Sequence, residues 1–196
     1  HSIGLMAGYE DYSYKWEEEG ASRTNYSLVN FPYLDLGPED YQFNSEKAGH
    51  NAYRSIFGRI MYSWADRYML QANIRSDGSS RFASGKRWGF FPAVSAGWRI
   101  DKESFFHLEN VFDLLKLRAS YGQLGNQAVA LYSYQNSINL GQDYSFGGAL
   151  SSGAAATAYS DPNTSWETTT TYNAGLDANL LRNRINFSID VYKKNT

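Results

Sequence analysis

Cysteine is absent from the 196-residue chain. That excludes a disulfide scaffold, a thiolate zinc site and a thiol nucleophile. No run of about 20 apolar residues occurs, so no transmembrane helix is expected. Charge is scarce and balanced: 18 Lys and Arg against 20 Asp and Glu give a formal net charge of −2. A nucleic-acid binder needs a basic stripe, so no nucleic-acid partner is expected. The common catalytic spacings are missing as well, with no HExxH, GxSxG, P-loop, GxGxxG or DxDxDG pattern. His1, His50 and His107 stand in unrelated segments. Acidic groups such as Glu17-Glu18-Glu19 and Asp35/Glu39 read as solvated loop charges. Carboxylate geometry, not carboxylate count, makes a hydrolase, so no enzymatic activity, metal or cofactor is expected.

What the chain has is rings and alternation. Tyr, Phe and Trp make up 16% of it, and 17 glycines accompany them. Low charge with many aromatics argues against disorder. From Thr171 to Leu180, Tyr172, Ala174, Leu176, Ala178 and Leu180 alternate with Thr171, Asn173, Gly175, Asp177 and Asn179. Period two means a strand, because successive side chains point to opposite faces. The pattern recurs with Ile185, Phe187, Ile189 and Val191, then with Ile56 to Trp64, Tyr68 to Ile74, Val94 to Ile100 and Leu115 to Tyr121, and more weakly with Ile3 to Tyr9. About seven strands of about ten residues are expected, longer than the usual 5–6.

Connector lengths alternate. Ala65-Asp66-Arg67 and Arg182-Asn183 read as tight turns, and Lys102–Leu108 as a helical turn in a moderate connection. Glu10–Tyr53 reads as long, polar and irregular, Asp77–Trp88 as a Gly/Ser-rich loop, and Gly122–Trp166 as long again. An antiparallel meander then puts its long loops, about 11–52 and 123–166, at one end. That asymmetry, with strands spanning about 25 Å when tilted, fits an outer-membrane barrel. The fold class expected is all-β, a portion of an antiparallel up-and-down transmembrane β-barrel. The chain opens and closes inside patterned segments, with no initiator Met or basic leader, so a piece of a longer polypeptide is expected.

Aromatic belts are the third sign. Trp64, Tyr68 and Trp98 fall near the short-turn end, and Trp88, Phe90, Trp166 and Tyr192 near the long-loop end, as interfacial rings would. High strand propensity of Tyr and Trp is the blander explanation. Arg59, Arg75, Arg99, Arg118, Asp177 and Asp190 fall opposite the apolar face, where a wet lumen or open solvent serves them equally. In the loops, Tyr132, Tyr134, Asp143, Tyr144 and Phe146 combine rings with polar groups and are candidates for contacting substrate, against ordinary loop packing.

Several stretches together resemble the barrel of SusC/RagA-type TonB-dependent outer-membrane transporters. They are Asp77-Gly-Ser-Ser-Arg-Phe82 with Trp88-Gly-Phe-Phe-Pro-Ala-Val-Ser-Ala-Gly-Trp-Arg99, then Leu115–Gly122 with Gly125-Asn126, Asn163–Glu167 leading into Tyr172–Asp177, and Arg184–Tyr192. They run in order through most of residues 53–196. Pro92 removes a ladder donor and is expected at a bulge or near a strand end. The resemblance implies a 22-stranded barrel plugged by an N-terminal domain in the bacterial outer membrane of Bacteroidota, with about seven strands here. It further implies a SusD-like lipoprotein lid, energy from the TonB complex through segments outside this chain, contact with outer-membrane lipid, and import of an oligosaccharide or peptide. Dimers of transporter–lid pairs are compatible with it. Two alternatives stay open: a passive porin or adhesin barrel, and a soluble β-sandwich carbohydrate-binding module.

Overall fold

The computed structural model describes residues 1–196. Eleven strands form in chain order: β1 (Ser2–Arg23), β2 (Gln42–Trp64), β3 (Tyr68–Ser79), β4 (Trp88–Arg99), β5 (Phe112–Asn126), β6 (Ile138–Leu140), β7 (Tyr144–Phe146), β8 (Ala149–Ser151), β9 (Ala154–Ala156), β10 (Glu167–Leu180) and β11 (Ile185–Asn195). Seven make one antiparallel sheet in the order β1-β2-β3-β4-β5-β10-β11, a half-barrel meander. The other four pair among themselves inside the 127–166 connection, β6 with β9 and β7 with β8.

Directly paired residues share a face, so the ladder can be followed across the sheet. One row runs Tyr172–Tyr121–Val94–Ala72–Ile60–Leu5, and the next Leu176–Leu117–Trp98–Tyr68–Trp64. With Phe57, Met61, Met69 and Phe91 among the exceptions on the other side, most apolar residues of the strands therefore lie on one side of the wall. No second layer covers them: Val94 is 42% exposed and Phe187 49%. Only nine residues are buried in the whole chain, as expected of a single sheet. A β-sandwich would bury this face, so that alternative is set aside.

Three expectations need correction. The first concerns Glu10–Tyr53. It is not irregular: β1 continues to Arg23 and β2 begins at Gln42, in unbroken register from Ser2↔Ser63 to Arg23↔Gln42. Only 24–41 connects them, with short 3-10 turns at Leu34–Leu36 and Glu39–Tyr41. Above β3 this ribbon is exposed on both faces, so it needs no apolar side and shows no apolar period. Likewise Gly122–Trp166 starts as strand, since β5 runs to Asn126. The helical turn between β4 and β5 sits at Ile100–Lys102, ahead of the expected Lys102–Leu108.

Pro92 is not at a bulge; it is the fifth residue of β4, next to the end of the β4–β5 ladder. It pairs with Ile74, and the β4–β5 ladder begins only at Ala93. Its missing N–H falls on the β5 side, just beyond where that ladder ends.

Both tight turns form as expected. Ala65 and Asp66 (φ 51° and 53°) and Leu181, Arg182 and Asn183 (φ 55° to 59°) occupy the left-handed region that short hairpin turns require.

Candidate functional site

The face opposite the apolar rows carries the chemistry. Register puts Arg59, Arg75, Arg99, Arg118, Asp177 and Asp190 on that face, and Arg118 also lines a groove of about 680 Å³ with Met61, Met69, Gln71, Ser95, Lys116 and Asn173. Two networks organise it. Arg118 donates from Nε and Nη2 to Asp177 at 2.7 and 2.9 Å and from Nη2 to Asp190 at 3.1 Å, and Ser188 Oγ donates to Asp177 at 2.8 Å. Arg75 bonds Asp77 at 2.7 Å, Glu10 at 3.2 Å and Ser55 Oγ at 2.8 Å, with Tyr53 donating to Glu10 at 2.6 Å. Arg59 donates to Asn73 Oδ1 at 2.7 Å. Arg99 is held at the short-turn end by Asp101, at 2.9 and 2.5 Å. Partly wet and hydrogen-bonded pairs of this kind fix side-chain geometry more than they add stability.

The aromatic assignments divide. At the short-turn end Trp64, Tyr68 and Trp98 do form a row, with centroids 5.5 and 6.5 Å apart and nearly parallel rings. Sequence reasoning missed its anchor. Glu103 Oε1 accepts from Tyr68 Oη at 2.6 Å and from Trp98 Nε1 at 2.9 Å, with Arg67 3.6 Å from Oε2. The Tyr68 and Trp98 bonds, with Arg67 beside them, hold the Glu103 carboxyl below its ordinary range. Asp101, also in this connection, meets opposing effects. Burial raises its pKa, but the Arg99 bonds and the Leu115 N–H outweigh that and lower it.

At the other end Trp88 and Phe90 are exposed on the apolar face, in keeping with a belt. Tyr192 is not: it pairs with Asn173, on the face of Asp190. Its strand position suits a belt, but its parity is opposite to that of Val191. Trp166 does not point outward either. It packs on Phe82 and Phe91, both at 5.3 Å, and donates from Nε1 to Arg87 C=O at 2.8 Å. Phe82 is fully buried and Phe91 nearly so. The Phe91 ring fills the space above Gly125 and Gly89, where any Cβ would overlap it. This cluster roots both the 80–87 loop and the long 127–166 loop.

The loop candidates are only partly brought together. Tyr144 and Phe146 lie 6.1 Å apart on β7, exposed, and Asp143 accepts from Gly153 N–H at 3.2 Å. Tyr132 donates to His50 C=O at 3.4 Å, and Tyr134 Oη accepts from Gln135. No contact joins Tyr132 and Tyr134 to the β7 group among the polar and ring contacts. No group of three or more His, Asp or Glu is arranged to hold a metal ion.

Comparison with known proteins agrees with this geometry. The family model described as TonB dependent receptor-like, beta-barrel matches residues 3–196. The chain is 38% identical over 207 residues to the TonB-dependent receptor SusC of Bacteroides thetaiotaomicron, covering all of this chain and 19% of that protein. It is 32% identical over 209 residues to the TonB-dependent receptor P39 of Formosa agariphila, again covering all of this chain and 19% of the relative. Among solved structures, the RagAB peptide importer in its closed-closed state superposes with a TM-score of 0.86 at 25% identity, over 98% of this chain and 21% of that one. The open-open state gives 0.84 at 26% identity over the same shares. The chain thus spans about one fifth of the relatives it matches. These barrels lie in the bacterial outer membrane, and the chain belongs to the TonB-dependent receptor-like β-barrel family.

Proposed function

We propose that this chain is a section of the wall of a transporter that imports a bulky nutrient across the bacterial outer membrane, driven through TonB and working with a SusD-like surface lipoprotein. The observation that carries the reading is the division of one seven-stranded sheet into an uncovered apolar face and an ion-paired polar face. Lipid tails suit the first, and a hydrated interior suits the second. Arg59, Arg75, Arg99, Arg118, Asp177 and Asp190 then face the lumen. Trp64, Tyr68, Trp98, Trp88 and Phe90 lie at the lipid interfaces. No catalytic role falls to the chain.

Tyr132, Tyr134, Asp143, Tyr144 and Phe146 sit in the long-loop region, where an incoming oligosaccharide or peptide first meets the barrel. A peptide is favoured by the likeness to the RagAB peptide importer, and an oligosaccharide by the exposed rings of Tyr144 and Phe146. The test uses the full receptor in a strain deleted for it. Uptake of a labelled nutrient that disappears when TonB is inactivated supports the reading, and uptake indifferent to TonB refutes it.

A further inference from the structure

The apolar face is not smooth. Between Val94 and the short-turn belt a groove of about 440 Å³ opens on it, lined by Tyr62, Leu70, Ala96, Trp98, Leu117 and Ala119. Ladder pairing explains its shape. Tyr62, Leu70, Ala96 and Ala119 follow one another across β2, β3, β4 and β5. Ala96 and Ala119 make the floor, while the next row toward the turns carries Trp98 and Leu117 and the next row the other way carries Val94 and Tyr121. Ala96 stands two residues from Trp98, about 7 Å along the strand, so the groove lies just inside the short-turn belt.

The wall at the belt end is locked. Tyr68 Oη and Trp98 Nε1 both donate to Glu103 Oε1, at 2.6 and 2.9 Å, and the two rings lie nearly parallel at 6.5 Å. Interfacial rings ordinarily turn such donors to the wet side of the boundary. Here both are taken, and the free cation is Arg67, in the turn next to Tyr68. Its one ion-pair contact, Glu103 Oε2, is 3.6 Å away, too far for a hydrogen bond, and its side chain is 41% exposed. A guanidinium with unused parallel N–H donors matches a phosphate, which accepts two of them at once.

We infer that the groove holds one acyl chain of a glycerophospholipid and that Arg67 holds the phosphate of the same molecule. The inference rests on the outer-membrane reading above and names a lipid site within it. The occupant is lipid because the groove lies across β2 to β5, inside the sheet, whereas further strands of a closed barrel join at the free edges of β1 and β11. On this face the neighbour is the bilayer. It is a glycerophospholipid because short turns mark the periplasmic side, whose leaflet is built of them. A chain in the groove touches protein on its floor and its walls, where a chain on the flat part of the face touches it on one side only.

The test uses the full receptor extracted from outer membranes in mild detergent, with native mass spectrometry counting the phospholipids that stay bound. The parent should keep one. Ala119→Phe fills the floor and Arg67→Gln removes the fork, and each should lower that occupancy about tenfold. Val191→Phe adds the same bulk to the apolar face outside the groove and should leave it unchanged. After delipidation, phosphatidylethanolamine should rebind the parent about tenfold better than diacylglycerol, which has the chains without the phosphate, and Arg67→Gln should abolish that preference. Heat-modifiable mobility checks that each barrel has assembled; if Ala119→Phe does not assemble, the Arg67→Gln and diacylglycerol comparisons decide. A parent that keeps no phospholipid overturns the inference. So does retention undiminished by Arg67→Gln, equal loss in Val191→Phe, or retained lipid that proves to be lipopolysaccharide from the other leaflet. A receptor absent from the outer-membrane fraction would instead refute the proposed function.

Discussion

Val94 offers the sharpest test of which face meets lipid. It lies four residues from Trp98 and four from Phe90 on the same strand. That is about 13 Å each way along the strand, or about 10 Å of depth at a tilt near 40°. Val94 therefore sits midway between the two aromatic levels of β4. Its ladder neighbours are Ala72 and Tyr121, which offer an arginine no carboxylate. Val94→Arg should cost about 2–4 kcal/mol, the range for a cation at the midplane of the lipid face. Ser95→Arg makes the same chemical change one residue along. It turns to the face of the ion pairs, into the open groove and paired with Ser120 and Gln71, and should stay within about 0.5 kcal/mol of the parent. Urea unfolding of the full receptor in lipid vesicles, followed by heat-modifiable mobility, measures both. Equal losses, or a larger loss for Ser95→Arg, would falsify the assigned facing.

Four further outcomes are expected. Glu103 has a depressed pKa, so its contribution to stability is complete above the ordinary Glu value and is lost as pH falls through the lower folded value; melting temperature against pH should show this acid-side loss, and Glu103→Gln should flatten it. Gly125→Ala overlaps Phe91 and should cost about 1–3 kcal/mol, partly recovered by Phe91→Leu, as read by thermal unfolding and by proteolysis of the 127–166 loop. In a double-mutant cycle, Arg118→Met and Asp190→Asn should couple by about 1 kcal/mol, because Arg118 bonds both Asp177 and Asp190; purely additive losses would dissolve the network as a unit. Ala65→Gly relieves a left-handed alanine and should raise stability by about 0.5–1 kcal/mol net of chain entropy in equilibrium unfolding.

The wall was legible in the sequence wherever one face meets something apolar. Tyr172–Leu180 and Ile185–Val191 alternate because register and facing are fixed together in such strands. Ser13–Arg23 and Gln42–Ala52 gave no such signal, because a ribbon exposed on both sides can be any strand-compatible mixture. Position along a strand also proved weaker than parity: Tyr192 sits at the right height for a belt but on the wrong face. Trp166 turned inward because Gly89 and Gly125 leave room for Phe91, and two glycines far apart in sequence do not announce a shared cavity. In the sequence Glu103 stands only as one residue of the Lys102–Leu108 connection. Its role depends on Tyr68 and Trp98 being neighbours across β3 and β4, a relation that only the register supplies.

The shared anchor of the two loops has an evolutionary consequence. Phe82, Phe91 and Trp166 tie the bases of both connections to β4 and β5, while Leu140, Tyr144, Phe146 and Leu150 farther out bear on nothing in the wall. On the proposed import function, mutation at those distal positions changes the surface met at the mouth while leaving the cylinder beneath it undisturbed, so new specificities are reachable without rebuilding the scaffold.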